Sequence, residues 1–159
     1  MNNSRVEKTL LTEEGYERLT EKVEAIQGKV QQNREDMSRT AKNGDLSENA
    51  GFMAAKESYK SHLNSLNELR EVLNEAQVIG DEEIETDEVG FGNLVTVKDL
   101  DQNKEFTYKI VGKYEARMEK GEISVKSPVA QGLMGKEEGD VVEIDTPAGK
   151  TQYEVIEID

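Results

Sequence analysis

Asp45 and Glu48 stand three residues apart in Gly44-Asp45-Leu46-Ser47-Glu48-Asn49-Ala50. Two carboxylates at that spacing lie on one face of a helix and can approach one ligand together. Such a pair suits a hard cation. Magnesium requires near-octahedral oxygen coordination and takes only one or two protein carboxylates, so this pair alone would hold it weakly and needs a partner to supply the remaining ligands. The same four residues, Asp45 to Glu48, also come close to a capping box, in which Asp45 accepts from the amide of Glu48 and Glu48 reaches back. Spacing alone leaves both readings open. Ser47 and Asn49 could position water or a nucleic-acid end, and they suit hydrogen bonding at a helix start equally well.

Arg34, Arg39, Lys42, Lys56 and Lys60 gather near these carboxylates in sequence, with Lys56 and Lys60 at i, i+4, and could contact phosphates. Glu35, Asp36 and Glu57 lie among them, as on an ordinary solvated helix. His62 is the single histidine, and its spacing fits a surface or seam residue.

The elements that must position the pair are two heptad-patterned segments. Tyr16, Leu19, Val23, Ile26, Val30, Asn33, Met37 and Thr40 recur at alternating steps of three and four. Leu63, Leu66, Leu69, Leu73 and Ala76 supply a matching stripe, so the segments can fold back as an antiparallel hairpin. Thr12 caps the first helix, with Glu13 and Glu14 at the positive end of its dipole, and the helix runs to about Ala41, an arm of roughly 45 Å. Asn43-Gly44 supplies the turn, and the second helix runs from about Asp45 to Gln77. Gly28 and Gly51 weaken the helices locally, by about 1 kcal/mol each relative to alanine.

Residues 1–79 thus read as a coiled-coil hairpin with its tip at about 41–50. Residues 80–90 are acidic and flanked by glycine, a linker with a short strand at its end. From Phe91 the pattern alternates with period two, in 94–97, 106–111, 141–144 and 153–158, with turns at 99–103 and 147–149. One short helix interrupts the strands, capped by Ser127, with Pro128 at its first position and Gly135 just past its end. The aromatic residues of this half follow the strand spacing and belong to a core rather than a binding cage. The fold class is α+β.

Hydrophobic residues make up 35% of the 159-residue chain and charged residues 34%, lean for a single large core and consistent with a long, thin element. The chain contains no cysteine, so it has no disulfide framework, thiol nucleophile or thiolate zinc site. No apolar stretch approaches transmembrane length, and the polar start Met1-Asn2-Asn3-Ser4 suggests a soluble, non-exported protein without a membrane partner. The net charge of -14 argues against a free-standing binder of nucleic-acid backbone. Residues 1–80 carry 14 acidic and 11 basic side chains, whereas residues 81–159 carry 20 and 9. The first half could sit near a polyanion; the second suits a basic protein surface or solubility.

The heptapeptide Gly44 to Ala50, followed by Ala54-Ala55-Lys56-Glu57, resembles the signature of the GreA/GreB family of bacterial transcript cleavage factors. A second block, Ile123 to Ala130 with Gly135 to Asp140, is similar to the C-terminal domain of that family. The resemblance covers nearly the whole chain. It implies an FKBP-like fold for residues 91–159 and insertion of the coiled coil into the secondary channel of bacterial RNA polymerase. Asp45 and Glu48 would then help to hold a Mg2+ ion shared with the polymerase active site, bound only loosely by the chain alone. The implied reaction is cleavage of backtracked RNA, with Arg34, Arg39, Lys42, Lys56 and Lys60 near the nascent RNA 3' end and Ser47 and Asn49 supporting the tip. The factor is then no enzyme itself but completes a site in its partner. Ser127, Pro128, Gly135 and Lys136 are candidate contacts to the outer rim of the channel. Cytoplasmic location and a monomer are expected.

Two departures from the family pattern stand out. Gly51-Phe52-Met53 replaces an acidic residue followed by an aromatic one, which could loosen the first turns of helix two. Arg117 follows Glu115-Ala116 where an acid is common, which could alter the contact made by the C-terminal domain. Two other functions are compatible with the sequence. A channel-binding regulator could inhibit the polymerase, although intact Asp45 and Glu48 count against it. An FKBP-like isomerase or chaperone would need an apolar aromatic pocket, and this half has no tryptophan.

Overall fold

The computed structural model describes residues 9–42 and 49–159. The chain forms two compact units, one of residues 16–75 and one of residues 1–15 with 76–159.

In the first unit, helix α1 (Glu13–Ala41) and helix α2 (Ala50–Glu75) supply the hairpin. Their pairing is antiparallel, since Asn33 meets His62, Arg34 meets Tyr59 and Thr40 meets Asn49. Leu19, Val23, Ile26 and Val30 are buried on α1, and Ala55, Leu66, Leu69 and Val72 on α2. The heptad seam therefore forms much as its spacing predicts. Asn33, Met37 and Thr40 are half-buried, as are Leu63 and Leu73. Tyr16 departs from the expectation and is 39% exposed, while Val72 takes a buried place the stripe did not assign.

Both helix starts have identifiable caps. Thr12 Oγ1 accepts from the Gly15 amide at 3.0 Å, as expected for α1. Helix two, however, opens at Ala50 rather than Asp45, because Asn49 is its cap: Asn49 Oδ1 accepts from the Phe52 amide at 2.9 Å. Asn49 thus takes the cap of α2, and the expected shared face of Asp45 and Glu48 lies outside the described residues.

Helix two also ends earlier than its sequence suggests. Ala76–Ile79 leaves the helix to form strand β2, which pairs in parallel with β1 (Thr9–Thr12), Leu11 lying opposite Val78. Leu11 is fully buried in this arrangement. The stretch expected as a linker holds a 3-10 turn at Asp81–Glu83 and no strand. It is stitched to the sheet unit, with Val89 1% exposed, its amide donating to the Lys136 carbonyl at 2.8 Å and its carbonyl accepting from Gly135. Asn93, also 1% exposed, holds the Gly90 amide at 2.7 Å.

The remaining strands form a five-stranded sheet of order β5-β4-β3-β7-β6. They are β3 (Leu94–Asp99), β4 (Lys104–Val111), β5 (Glu122–Ser124), β6 (Val141–Thr146) and β7 (Gly149–Ile158). The pairs are antiparallel except β4 with the unforeseen β5. Helix α3 (Pro128–Leu133) closes the core, capped by Ser127, whose Oγ accepts from the Ala130 amide at 3.2 Å. Gly135 follows at φ 76, the left-handed conformation that glycine adopts cheaply. The core contains Val95, Val97, Ile110, Leu133, Ile144 and Val155. Tyr153 belongs to it and Phe106 and Tyr108 pack against it, as their spacing predicted, whereas Tyr114 departs from that expectation, lying outside the strands and 38% exposed. Burial, and then the charge of Asp99, raises the Tyr108 phenol above its ordinary pKa.

Candidate functional site

Asp45, Ser47 and Glu48 lie outside the described residues; the structure describes the two strands of chain that carry them. On the outgoing side, α1 ends at Ala41 and Lys42 is exposed. On the returning side, Asn49 does two things at once. Its Oδ1 caps α2, and its Nδ2 donates to the Thr40 carbonyl in the last turn of α1. One side chain thus joins the two helix ends immediately beside the heptapeptide. Gly51 leaves room for a side chain there, since an added Cβ would meet Asn49 Oδ1 and Thr40 Cγ2 at an ordinary 3.4 Å.

The basic candidates separate into two groups. Arg34 reaches across the hairpin to Tyr59, with its guanidinium 5.7 Å from the ring centroid and Nη2 3.4 Å from the hydroxyl. Lys56 and Lys60, both exposed, stand at i, i+4 on α2, and Lys56 is also at i, i+3 to the Tyr59 that Arg34 reaches. Arg39 is instead paired with Asp36 at 2.8 Å while its side chain stays 71% exposed. His62 Nδ1 lies 2.7 Å from Asn33 Oδ1, a seam contact. No group of three or more His, Asp or Glu side chains able to hold a metal occurs among the described residues.

Of the candidate docking residues, Pro128 and Gly135 are exposed, whereas Ser127 and Lys136 are half-buried. Ser127 is used as the α3 cap, and the Lys136 backbone holds Val89.

A cluster that the sequence reading did not assemble surrounds Glu115, a carboxylate 4% exposed. One oxygen accepts from the Thr12 amide at 2.9 Å and the other from the Thr12 hydroxyl. The acid therefore sits at the positive end of α1. Gly15 and Gly112 make room for it: a Cβ on Gly15 would come within 2.3 Å of Glu115 Oε1, and one on Gly112 within 2.1 Å of the Leu10 carbonyl oxygen. Beside it, Arg117 binds Glu122 through Nε at 2.9 Å and Nη2 at 2.6 Å, and Glu14 at 3.0 Å. These bonds, those to Glu122 foremost, raise the guanidinium above its ordinary pKa. The arginine in place of an acid is thus answered by two glutamates. Gly15 three residues after Thr12 and Gly112 three residues before Glu115 were the sequence signal.

Both halves of the chain match family models. Residues 9–78 match the model described as transcription elongation factor, N-terminal, and residues 84–159 the model for the C-terminal part of transcription elongation factor GreA/GreB. Curated relatives include transcription elongation factor GreA of Chloroherpeton thalassium, 40% identical over 96% of this chain and 97% of its own. The protein of the same name from Bartonella tribocorum is 38% identical over 96% of this chain and 98% of its own. Among solved structures, GreA factor homolog 1 of Thermus thermophilus is 27% identical, covering 96% of this chain and 99% of that one at a TM-score of 0.46. GreA/GreB from Nitrosomonas europaea is 20% identical at a TM-score of 0.42, covering 95% of this chain and 97% of that one. With both halves matched in order and relatives aligned over nearly their full length, this chain belongs to the GreA/GreB family of transcription elongation factors.

Proposed function

We propose that the chain is a transcript cleavage factor whose helical hairpin enters the secondary channel of bacterial RNA polymerase and stimulates cleavage of backtracked RNA. The observation that carries this reading is the intact heptapeptide Gly44 to Ala50 set between two helices that Asn49 joins at their ends. A cap needs only one polar side chain, and Asn49 fills that role, so Asp45 and Glu48 are left for another task. Their oxygens are the hard donors that Mg2+ accepts, and two carboxylates match the number it takes from a protein. When bound, the ion would supply charge neutralisation at phosphate oxygens and a more acidic water. Asp45 and Glu48 hold negative charge at the tip, Arg34, Lys56 and Lys60 bind phosphates of the displaced RNA 3' end, and the polymerase supplies the reacting chemistry. The chain is then a monomeric cytoplasmic factor rather than a catalyst, and Pro128 and Gly135 are available to the rim of the channel.

The test is RNA cleavage in a backtracked elongation complex with the cognate polymerase and magnesium, comparing wild type with Asp45→Ala/Glu48→Ala. Stimulation by wild type and its loss in the variant, with polymerase binding retained, is the expected result. Equal cleavage by both would remove the carboxylates from the mechanism. Retained binding without stimulation by either would make the chain a channel-occupying regulator.

A further inference from the structure

Charge in residues 81–159 is segregated. The stretch from Lys109 to Lys126 holds five basic and three acidic side chains, while the remainder of that half holds four basic and 17 acidic. Two of the three acids are turned inward. Glu115 is 4% exposed and engaged by Thr12, and Glu122 is 7% exposed and engaged by Arg117. What the connection between β4 and β5 shows to solvent is therefore Lys113 and Lys120, with Glu119 as the single exposed acid. Among them Tyr114 is 38% exposed and Met118 is 82% exposed.

This connection is exposed yet tightly held. Arg117 and Glu122 close the turn around Met118 through Lys120 N to Arg117 O at 3.0 Å, Gly121 N to Met118 O at 3.0 Å, Glu122 N to Arg117 O at 3.1 Å and Arg117 N to Glu122 Oε2 at 3.0 Å. Lys113 Nζ lies 5.5 Å from the Tyr114 ring centroid. A single exposed apolar side chain is ordinary on a protein surface. A methionine displayed on a pinned turn that also carries Lys120, with Lys113 and Tyr114 earlier in the same connection, is preorganised for contact, since much of the ordering cost of binding is already met.

We propose that the β4–β5 connection docks on an acidic protein surface containing an apolar recess, with Met118 entering the recess, Tyr114 lying against the same surface, and Lys113 and Lys120 facing its carboxylates. This rests on the reading above, which makes that surface part of the polymerase. Charge complementarity selects the partner: this is the cationic region of a half that is otherwise strongly anionic. Nucleic acid is disfavoured, because two exposed lysines in a half with 17 acidic residues elsewhere make a poor polyanion site and Met118 has no use on a phosphate backbone.

The experiment titrates labelled full-length protein with core RNA polymerase and follows anisotropy at several salt concentrations. Lys113→Glu/Lys120→Glu is expected to raise Kd by about tenfold and flatten its salt dependence. Met118→Ser should raise Kd by about fivefold with the salt slope unchanged. Lys150→Glu, 70% exposed on β7, serves as the control and should stay within about twofold. Circular dichroism checks folding, and Lys113→Gln/Lys120→Gln is the gentler variant if charge reversal disturbs it. Wild-type binding that all variants share would overturn this inference and leave the polymerase reading intact. Weakened binding to a single-stranded RNA oligonucleotide, with polymerase affinity unchanged, would also overturn it. Failure of the wild type to bind polymerase would remove both.

Discussion

Asn49 shows how one residue can serve a local and a distant purpose. Its oxygen caps α2 and its nitrogen holds the end of α1, so substitutions can separate the two roles. Asn49→Ala should lower hairpin stability by about 1 kcal/mol, the usual value of a lost cap. Asn49→Asp keeps an acceptor for the Phe52 amide but cannot donate to the Thr40 carbonyl. It should melt near wild type yet stimulate cleavage less, because the helix ends beside Asp45 and Glu48 are no longer joined. Thermal denaturation and maximal cleavage rate, measured on both variants, decide this; wild-type cleavage by Asn49→Asp would leave the residue only its capping role. In the sequence Asn49 was legible as a hydrogen-bonding residue at a helix start. Its second bond was not, since it depends on how Thr40 and Asn49 meet across a turn.

Elements long enough to repeat their period were readable before any coordinates. The α1 seam shows in Leu19, Val23, Ile26 and Val30, which are all buried, and β3 shows in the alternation of buried Val95 and Val97 with the exposed Leu94 and the half-buried Thr96 and Lys98. The short parallel strands were not readable. Thr9–Thr12 and Ala76–Ile79 have four residues each, too few to establish alternation, and they pair across the whole hairpin. β5 has three residues and the same difficulty. Helical propensity carried α2 to about Gln77, and the parallel partner strand won in the fold. Within α1 the cost of Gly28 can be tested, because an added Cβ there meets nothing within 4 Å. Gly28→Ala should stabilise the hairpin by about 1 kcal/mol, raising its melting temperature with cleavage unchanged. A loss of stability would show that the glycine accommodates something other than solvent.

At the scale of the whole chain, composition and contacts divide the molecule differently. The family models meet between residues 78 and 84, where the acidic, glycine-flanked stretch begins. Contacts instead gather residues 1–15 with 76–159, through the β1–β2 pairing and the carboxylate of Glu115. That carboxylate is buried, so its worth depends on donors supplied from 103 positions away in sequence. Thr12→Val removes the hydroxyl donor and keeps the amide, Glu115→Gln removes the charge that both donors serve, and each loss costs about 1 kcal/mol, but the hydroxyl bond can be lost only once. Thr12→Val and Glu115→Gln should therefore each destabilise the full chain, and the double variant should lose less than their sum by about 1 kcal/mol or more. The transition to follow is the near-ultraviolet signal of Tyr108 and Tyr153, which pack in the sheet core. Strict additivity would make the Thr12–Glu115 contact incidental. Coupling seen through those tyrosines would mean that the segment before the first helix is energetically part of the C-terminal sheet unit, and that a fragment beginning at residue 80 lacks a piece of its own core.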